Sequence, residues 1–437
     1  MHHSHEALDR TGGTERSGLL TPLRDRDFRL LWSGMCLSLI GDGAFLVALA
    51  WQVFALSGGP AAMSYVGIAM TVPTIVFLLV GGVASDRFDR GWILVLADLG
   101  RALAVALMAG LTLGGYAAVW PLVALSALYG AGAAFHAPAF DAMVPEVLAG
   151  TRLAQANALD QLVRPLALRL AGPALGGVVV GVGGAGAVFA LDTASFVVAA
   201  GCVLRMRTPV RVAVVSDAGA VSVIADLREG WRFVRRHAWL WATFVSAAFA
   251  YLLFMGPVEV LLPWIVKDAL HGSAFDLGLV FAAGGLASMA CAVALGRRGL
   301  PRRSVTFMLV VWTLATVAVA GYGAATAIWQ LMVASAIFNG FETAGTIVWA
   351  TLKQREVPGE LLGRVSSLDW LISIGLLPLS FALTGPVSAA IGARATLIGA
   401  GLLGAAVTFA ALYVPGMRSI ERPGPRRVAA WTAPPTT

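Results

Sequence analysis

The stretch Gly82-Val83-Ala84-Ser85-Asp86-Arg87-Phe88-Asp89-Arg90-Gly91 is a short charged segment between two long apolar segments. Its two aspartates and two arginines are costly to place in hydrocarbon, so water must reach them. The segment is too short to do more than reverse the chain. We therefore predict that the helices on either side of it enter and leave the same face of a membrane.

The composition of the whole chain agrees with a membrane protein. Hydrophobic residues make up 58% of the 437 residues and charged residues only 13%, whereas roughly a quarter of an average soluble protein is charged. The mean hydropathy is +0.80, more apolar sequence than a soluble core can bury. Residues 1–29 lack the apolar centre of a signal peptide, so we expect no cleavable signal.

Twelve apolar runs of about 18 to 25 residues follow one another, each long enough to cross a hydrocarbon layer of roughly 30 Å as a helix. The sequence thus predicts an all-α integral membrane protein with two six-helix halves. We divide it into an N-terminal tail (1–29), an N-terminal half (30–205), a central loop with an amphipathic helix (206–238), a C-terminal half (239–415) and a C-terminal tail (416–437).

Positive charge predicts the orientation of the spans. All but five of the 31 lysines and arginines fall in the tails and loops of one side. Lys267 and Arg394 fall on the other side, and Arg101, Arg164 and Arg169 fall within spans. Because cytoplasmic loops of membrane proteins are enriched in Lys and Arg, we expect both termini and the central loop in the cytoplasm.

Two further patterns concern the organisation of the halves. Val144-Pro145-Glu146 leads to Leu159-Asp160, and Val357-Pro358 leads to Leu368-Asp369, as expected for two parallel repeats with a site between them. In the central loop, Trp231 and Val234 share one helical face and basic residues lie largely elsewhere: Arg228, Arg232, Arg235 and Arg236. Such a helix is expected to lie on anionic lipid, although a site for a regulatory partner is an alternative.

Several short pieces of the sequence carry a family resemblance: Ile40-Gly41-Asp42-Gly43, Asp86-Arg87, Ala156-Asn157-Ala158-Leu159, Leu191-Asp192-Thr193-Ala194-Ser195-Phe196 and Asp226-Leu227-Arg228-Glu229-Gly230. With them, residues 25–415 resemble the major facilitator superfamily, particularly the twelve-helix drug and siderophore exporters that include the enterobactin exporter and macrolide efflux pumps. Segment 82–91 is similar to the signature loop between spans 2 and 3, where most members carry a glycine at the position of Asp89.

Span 5 carries Gly172-Pro173-Ala174-Leu175-Gly176-Gly177, which is similar to the antiporter motif G-P-x-x-G-G. Small residues at this spacing allow a neighbouring helix to approach closely and seal a leak path. The alternative is ordinary helix packing in a glycine-rich protein. Span 4 carries Ser126 and Ala127 where many proton-coupled relatives carry an arginine, so proton coupling is implied by the resemblance alone.

Ionisable residues within spans are costly, by about 2.5 to 3.5 kcal/mol each for an acid at the centre of a helix, and therefore need a role or a partner. Asp42 and Glu342 fall near the middle of spans 1 and 10, which line the central cavity in the resembled family. Asp192 and Glu259 are expected nearer the outer face, where hydration is the alternative to function. Each of these four acids is a candidate proton carrier or cation site. Arg169 lies midway along span 5; it either pairs with Asp42 as a clasp or leaves it free to take up a proton.

Charged residues near the cytoplasmic ends are expected to form a latch that controls switching between conformations: Gly82, Asp86, Arg87, Arg90, Asp98, Arg101, Asp160, Arg164 and Asp369. Asp98 and Arg101 stand at i, i+3 and Asp160 and Arg164 at i, i+4, so each pair can meet on one helix face. The resemblance implies that Asp86 faces the start of span 11, which carries Asp369.

The cavity itself is expected to be wide and aromatic, which suits bulky amphiphilic substrates. We predict the following lining residues, each with packing or lipid contact as its alternative: Trp51, Gln52, Phe135, His136, Phe249, Tyr251, Phe338, Asn339 and Trp349. Proton relay is a further possible role of His136.

The sequence therefore predicts a transporter, not an enzyme, that exports a hydrophobic or amphiphilic small molecule from a bacterium by alternating access, in exchange for protons. We expect a monomer in the inner membrane, in contact with lipid, with no cofactor, metal or nucleic acid. A proton-coupled importer of the same fold and a non-transporting receptor or scaffold are the alternatives. An intramembrane enzyme has little support because no nucleophile–base pair or metal spacing is present.

Overall fold

The structure, a computed structural model, describes residues 20–148, 151–207 and 219–421. Within them the first half of the chain forms α1 (Arg26–Ser57), α2 (Pro60–Arg87), α3 (Arg90–Leu113), α4 (Val119–Val147), α5 (Thr151–Pro165) and α6 (Gly172–Leu204). The second half forms α7 (Gly219–Arg236), α8 (Ala238–Trp264), α9 (Ala274–Arg298), α10 (Ser304–Ala324), α11 (Ile328–Glu356), α12 (Gly359–Gly375), α13 (Leu377–Ile391) and α14 (Ala393–Ala410). The predicted all-α architecture is confirmed.

Eleven helical segments of the described chain are long and apolar enough to cross a membrane. One of them, Val163–Leu204, has 42 residues, about twice the length that one crossing needs. Gly184 interrupts it with a left-handed φ of 75°. Gly172 contacts Ile40 while Asp192 contacts Gly41, so positions on either side of Gly184 lie at one depth beside α1. The chain therefore reverses at Gly184, and the eleven segments make the twelve predicted crossings.

The charged segment 82–91 forms a shorter turn than expected. α2 continues to Arg87, and only Phe88 and Asp89 separate it from α3. The Asp89 carboxylate accepts a hydrogen bond from the Trp92 amide at 3.1 Å and so caps the first turn of α3. An aspartate at this position thus has a local structural reason.

The crossings alternate in direction and give the bundle two faces. We call the face at which α1 begins the tail face, and the opposite face, which carries the short connections at Gly58-Gly59 and 270–273, the far face. In the described residues, several contacts join the two halves toward the far face, and three of them involve Lys267, Gly385 and Gly177. The Lys267 Nζ donates to the Trp51 carbonyl oxygen at 3.2 Å.

The other two contacts between the halves depend on small residues. Gly385 of α13 lies against Ala61 of α2, and Gly177 of α6 lies against the backbone of Ala274 at the start of α9. A β-carbon on Gly177 would lie 2.7 Å from the Ala274 carbonyl oxygen. The helices can therefore approach this closely only because Gly177 has no side chain.

α7 is the helix predicted in the central loop. Its Phe233 and Val234 are buried, whereas Arg228, Arg232, Arg235 and Arg236 are exposed. Glu229 forms an ion pair with Arg364 of α12. One face of α7 is therefore fixed to the C-terminal half, and the basic face remains accessible.

Candidate functional site

A cavity of about 490 Å³ lies in the C-terminal half. Its walls come chiefly from α8, α10, α11 and α12, and the N-terminal half contributes Arg169. The wall is largely apolar and aromatic, with Tyr251, Phe254, Phe338, Trp349 and Trp370 among its side chains. Phe254 and Phe338 pack edge to face with their ring centroids 5.6 Å apart.

Arg169 reaches this cavity from a local distortion of the fifth crossing. Residues Leu166–Ala171 form a π-helical turn between α5 and α6, a feature that is frequent at functional sites. The Arg169 Nη1 donates to Asn339 Oδ1 at 3.0 Å and lies 3.7 Å from Glu342 Oε2. Thr346 Oγ1 donates to Glu342 Oε1 at 3.0 Å. A guanidinium of one half is thus held by an amide and a carboxylate of the other half.

A second charged pair lies nearer the tail face of the same cavity. Asp369 of α12 pairs with Lys353 of α11 and accepts a hydrogen bond from Trp349 Nε1 at 2.8 Å. All three residues line the cavity. The pair lies within the C-terminal half, and it leaves the cavity close to electrically neutral at this end.

A smaller cavity of about 270 Å³ shares Arg169, Phe338 and Glu342 with the first. Glu259 lines the smaller cavity and has an exposed side chain. Arg169 and Glu342 therefore lie where the two cavities meet.

The predicted lining residues divide into two groups. Tyr251, Phe338, Asn339 and Trp349 line these two cavities. Phe249 does not: with Trp241 and Val245 it forms an exposed stripe at i, i+4 and i+8 on the opposite side of α8. The prediction that Phe249 lines the cavity was wrong. Bulky residues occur on several faces of α8, and the sequence alone does not indicate which face is directed toward the cavity.

The remaining predicted lining residues have other neighbours. Trp51 lies beneath Lys267, with Nζ 5.0 Å from the ring centroid. Gln52 lies beside it on α1 and is partly buried. Phe135 packs against Phe77 with ring centroids 6.1 Å apart. These contacts fit the packing alternative for Trp51 and Phe135.

A buried polar cluster lies in the N-terminal half. Asp42 of α1 accepts a hydrogen bond from Tyr129 Oη at 2.6 Å, and its Oδ2 is 3.7 Å from Arg101 Nη1. The Arg101 Nη2 donates to Asp98 Oδ1 at 2.5 Å, and His136 Nε2 lies 3.5 Å from the same oxygen. The side chains of Asp98 and Arg101 are 1% and 5% exposed. Asp42, Asp98, Arg101 and His136 therefore form one cluster, although the sequence suggested proton coupling, a latch and cavity lining as their separate roles.

Asp192 of α6 belongs to the same region and is completely buried. Ser195 Oγ donates to its Oδ1 at 3.1 Å, and Gly41 makes room for that oxygen, since a β-carbon there would lie 2.2 Å away. Asp192 is therefore at the depth of the middle of α1, and the expected position near the outer face was wrong. The reversal at Gly184 occurs far enough from Asp192 to bring it back into the bundle.

Two other expectations were wrong, one about the partner of Asp42 and one about the depth of Asp98 and Arg101. The arginine beside Asp42 is Arg101, not Arg169, which extends instead to Glu342 of the other half. Asp98 and Arg101 also lie deeper than the cytoplasmic end of α3, because Asp98 is eight residues, or about 12 Å, beyond the start of that helix at Arg90.

The predicted latch residues form pairs within single halves in this structure. Asp160 and Arg164 pair at 3.2 Å, and Arg90 pairs with Glu146 of α4 at 2.5 Å. The side chains of Asp86 and Arg87, and Gly82, lie outside the described part of the structure. The latch, which concerns another conformation, stays a prediction.

The glycine motif of the fifth crossing contacts both halves. On one side, Gly172 and Gly176 lie against α1, with β-carbons that would come within 2.7 Å of Gly43 Cα and Ala44 Cα. On the other side, Pro173 and Gly177 lie against α9, where a β-carbon on Gly278 would come 2.7 Å from the Pro173 carbonyl oxygen. The motif therefore packs between a helix of its own half and a helix of the other half.

Several residues of the site were not singled out from the sequence. Trp312 lines the cavity and donates from Nε1 to the Glu342 carbonyl oxygen at 3.3 Å, and Lys353 pairs with Asp369. The only sequence signal for Lys353 is its position four residues after Trp349, one helical turn along the same face. Tyr129, the donor to Asp42, gave no signal. Among the described residues, no group of three or more His, Cys, Asp or Glu residues is arranged to hold a metal ion.

Twelve crossings in two halves, with a cavity in one half that a residue of the other half reaches, are the architecture of a major facilitator transporter. A family model described as transmembrane secretion effector matches residues 17–435, and the chain belongs to this family of the major facilitator superfamily.

Several of its relatives are named as drug exporters. Macrolide efflux protein A of Streptococcus pyogenes is 24% identical over 371 residues, covering 84% of this chain and 90% of the relative. The multidrug efflux pump Tap of Mycolicibacterium fortuitum is 28% identical over 403 residues, covering 87% and 94%. The Tap protein of Mycobacterium tuberculosis strain H37Rv is 29% identical over 395 residues, covering 87% and 91%.

Solved structures share the fold. The nucleoside transporter NupG superposes with a TM-score of 0.65 at 11% identity, covering 88% of this chain and 98% of that one. A bacterial homologue of the lysosomal transporter Spinster, in an inward-facing and unoccupied conformation, gives a TM-score of 0.66 at 15% identity, covering 92% and 99%. The chain is thus a multi-pass membrane transporter, and its relatives are transporters, not enzymes.

Proposed function

We propose that this protein exports an amphiphilic small molecule from the cytoplasm of a bacterium by alternating access, in exchange for protons. The observation that carries the proposal is the aromatic cavity of about 490 Å³, at whose boundary Arg169 of one half binds Asn339 and Glu342 of the other. The efflux roles of the relatives support the direction.

The cavity supports the substrate class. Pockets for drug-sized ligands measure about 300–1,000 Å³ and combine apolar walls with a few polar groups. Here Phe254, Phe338 and Trp349 supply apolar surface, whereas Arg169 and Glu342 supply a charged pair that a polar substrate group can divide. An amphiphile with a large apolar surface and a polar group fits this combination better than a sugar, which would need many hydrogen-bonding groups.

The contact between Arg169 and Glu342 also supports alternating access. It joins the halves midway across the bundle, and the contacts of Trp51, Gly177 and Gly385 join them toward the far face. We interpret this arrangement as a state closed at the far face. Transport then requires that these contacts open while the predicted latch of Asp86, Asp160 and Asp369 closes at the tail face.

Charge supports the orientation and location. The exposed arginines of α7, together with Arg297 and Arg298, lie at the tail face. Because positive residues accumulate on the cytoplasmic side, we place the tail face and both termini in the cytoplasm of the inner membrane. We propose that the basic face of α7 lies on anionic lipid. A single chain forms the cavity from its two halves, so we also propose a functional monomer.

The test uses inside-out membrane vesicles with an acidic interior and two labelled probes, the macrolide erythromycin and the dye ethidium. We expect accumulation inside the vesicles that a protonophore abolishes. Glu342→Gln should reduce it about fivefold or more, as expected for the loss of about 1 kcal/mol of coupling between the halves. The matched control is Glu356→Gln, an exposed position at the end of the same helix, which should leave accumulation unchanged.

Other outcomes would favour the alternatives. Accumulation only in right-side-out vesicles would show an importer, and binding without accumulation in either orientation would show a receptor. An equal loss in both glutamate variants would contradict the role given to Glu342.

A further inference from the structure

The buried cluster of the N-terminal half lies apart from the two cavities, whose lining residues do not include Asp42, Asp98, Arg101 or Asp192. We propose that this cluster, formed by Asp42, Asp98, Asp192 and Arg101, binds the coupling proton, whereas the cavity in the C-terminal half binds the substrate. The inference rests on the proposed function. It adds that proton and substrate do not compete for one carboxylate and are coupled through helix movement.

The charges of the cluster are unbalanced. Asp42, Asp98 and Asp192 are three carboxylates, and Arg101 is the guanidinium that two of them contact. The other ionisable groups facing them are Tyr129 and His136 of α4, with Arg164 of α5 nearby. Isolated excess charge is very costly in a medium of low polarity. A cluster with three ionised carboxylates and one guanidinium therefore gains from binding a proton.

Asp192 offers an oxygen for that proton. The residue is completely buried, and its Oδ2 has no hydrogen-bond partner in the described structure, although Ser195 donates to Oδ1. An ionised carboxylate with an unpartnered buried oxygen is expensive, whereas a neutral carboxyl group is tolerated at much lower cost. Gly41, which leaves the space that this side chain fills, brings Asp192 beside the helix turn that carries Asp42.

A proton fits this cluster better than a metal ion does. Arg101 lies between Asp42 and Asp98 and contacts the ring of Phe196, with Cζ 4.3 Å from the centroid. A guanidinium at this position already supplies the fixed positive charge that a metal ion would bring, and it repels a second cation. The proposed proton site is thus a buried cluster of charged residues in the N-terminal half, whereas the proposed substrate site is a largely aromatic cavity in the C-terminal half.

The helix packing provides the coupling. Asp42 lies between Ile40 and Gly43, which both contact Gly172 of the glycine motif. The same motif contacts α9 of the other half through Gly177. Movement of the halves against each other is therefore transmitted through one helix segment to the turn of α1 that carries Asp42. A change of this packing can expose the cluster to one face and then to the other.

The direct test is infrared spectroscopy of the purified full-length protein in lipid nanodiscs, without any substrate. We expect a band of protonated carboxyl groups that decreases as the pH is raised. The band should be lost or shifted in Asp192→Asn and retained in Glu342→Gln. An unchanged band in Asp192→Asn and also in Asp42→Asn would overturn the proposal, and so would a band that sodium ions shift at constant pH.

This result does not depend on whether the probes are transported, so it separates failure of the site from failure of the proposed function. Ser195→Ala provides a second variant that keeps all carboxylates, and it should shift the band by removing the donor to Asp192. Binding of ethidium to the Asp192→Asn protein, measured by fluorescence, should be retained. Loss of ethidium binding in Asp192→Asn, with the folded protein eluting as the wild type does, would contradict the separation of the two sites.

Discussion

Gly177→Ala tests the packing of the glycine motif against the other half. The new β-carbon would lie 2.7 Å from the Ala274 carbonyl oxygen and 3.0 Å from Phe275 Cα, both backbone atoms that no rotamer change can move. Ordinary contact begins near 3.4 Å, so α6 and α9 must separate by about 0.7 Å. Overpacking of this kind costs about 1–3 kcal/mol. In the proposed alternating-access cycle this contact belongs to the conformation closed at the far face, so the cost falls on that conformation.

The same substitution at Gly181 is the matched control. A β-carbon on Gly181 meets no atom within 4 Å, and both positions belong to the segment that begins at Gly172. Replacing glycine by alanine in a helix gains about 1 kcal/mol of helix propensity at either site. The gain therefore cancels in the comparison, and the difference between the two variants reports the contact with α9. We expect Gly177→Ala to favour opening of the far face by about 5- to 150-fold.

The assay measures the distance between spin labels at Tyr116→Cys and Thr326→Cys, two exposed positions in far-face connections of the two halves. Cys36, Cys202 and Cys291 are replaced by alanine in this background. Gly177→Ala should increase the population with the longer distance, and Gly181→Ala should match the parent. Identical distance distributions in the two variants would refute the assignment of Gly177 to the seal between the halves.

Two further predictions concern single contacts. Lys267→Met removes the charge above the Trp51 ring and the donor to its carbonyl oxygen, an interaction of about 0.5–2 kcal/mol. The same pair of spin labels should then show a larger population with the longer distance, and Lys267→Arg should restore the parent distribution. Identical distributions in the Met and Arg variants would exclude a role for the charge. Glu421 accepts hydrogen bonds from the Thr306 amide at 2.7 Å and Oγ1 at 2.8 Å, and so caps α10 from the end of the described chain. Glu421→Gln should lower the apparent unfolding temperature in detergent by the equivalent of about 0.5–2 kcal/mol, and an unchanged temperature relative to Glu356→Gln would show that the cap contributes nothing.

The sequence was sufficient for the overall fold because the length of an apolar run is a local signal. The crossings, the two halves and the depth of Asp42 follow from runs of residues that need no knowledge of distant contacts. The orientation predicted from positive charge stays a prediction. The reversal at Gly184 was also predictable, since Val163–Leu204 is too long for one crossing. The turn at Asp89 was placed correctly, although the helix before it ends later than expected.

The partners within the site could not be derived in the same way. Arg169 meets Asn339 and Glu342, which lie in the other half of the chain, and no periodicity of one helix predicts which distant helix it faces. The same limit explains why Arg101, and not Arg169, contacts Asp42. The depth of Asp192 depends on where the chain reverses, and its burial depends on the absence of a side chain at Gly41. These are properties of tertiary packing.

The central claim is that substrate leaves in exchange for protons bound in the other half of the molecule. The measurement that tests it most directly uses inside-out vesicles that report erythromycin or ethidium uptake and the internal pH together. We predict that adding a probe to wild-type vesicles makes the interior less acidic as the probe accumulates, and that Asp192→Asn abolishes the pH change while probe binding remains. Accumulation of a probe without any pH change in the wild type, or a full pH change in Asp192→Asn, would contradict the account.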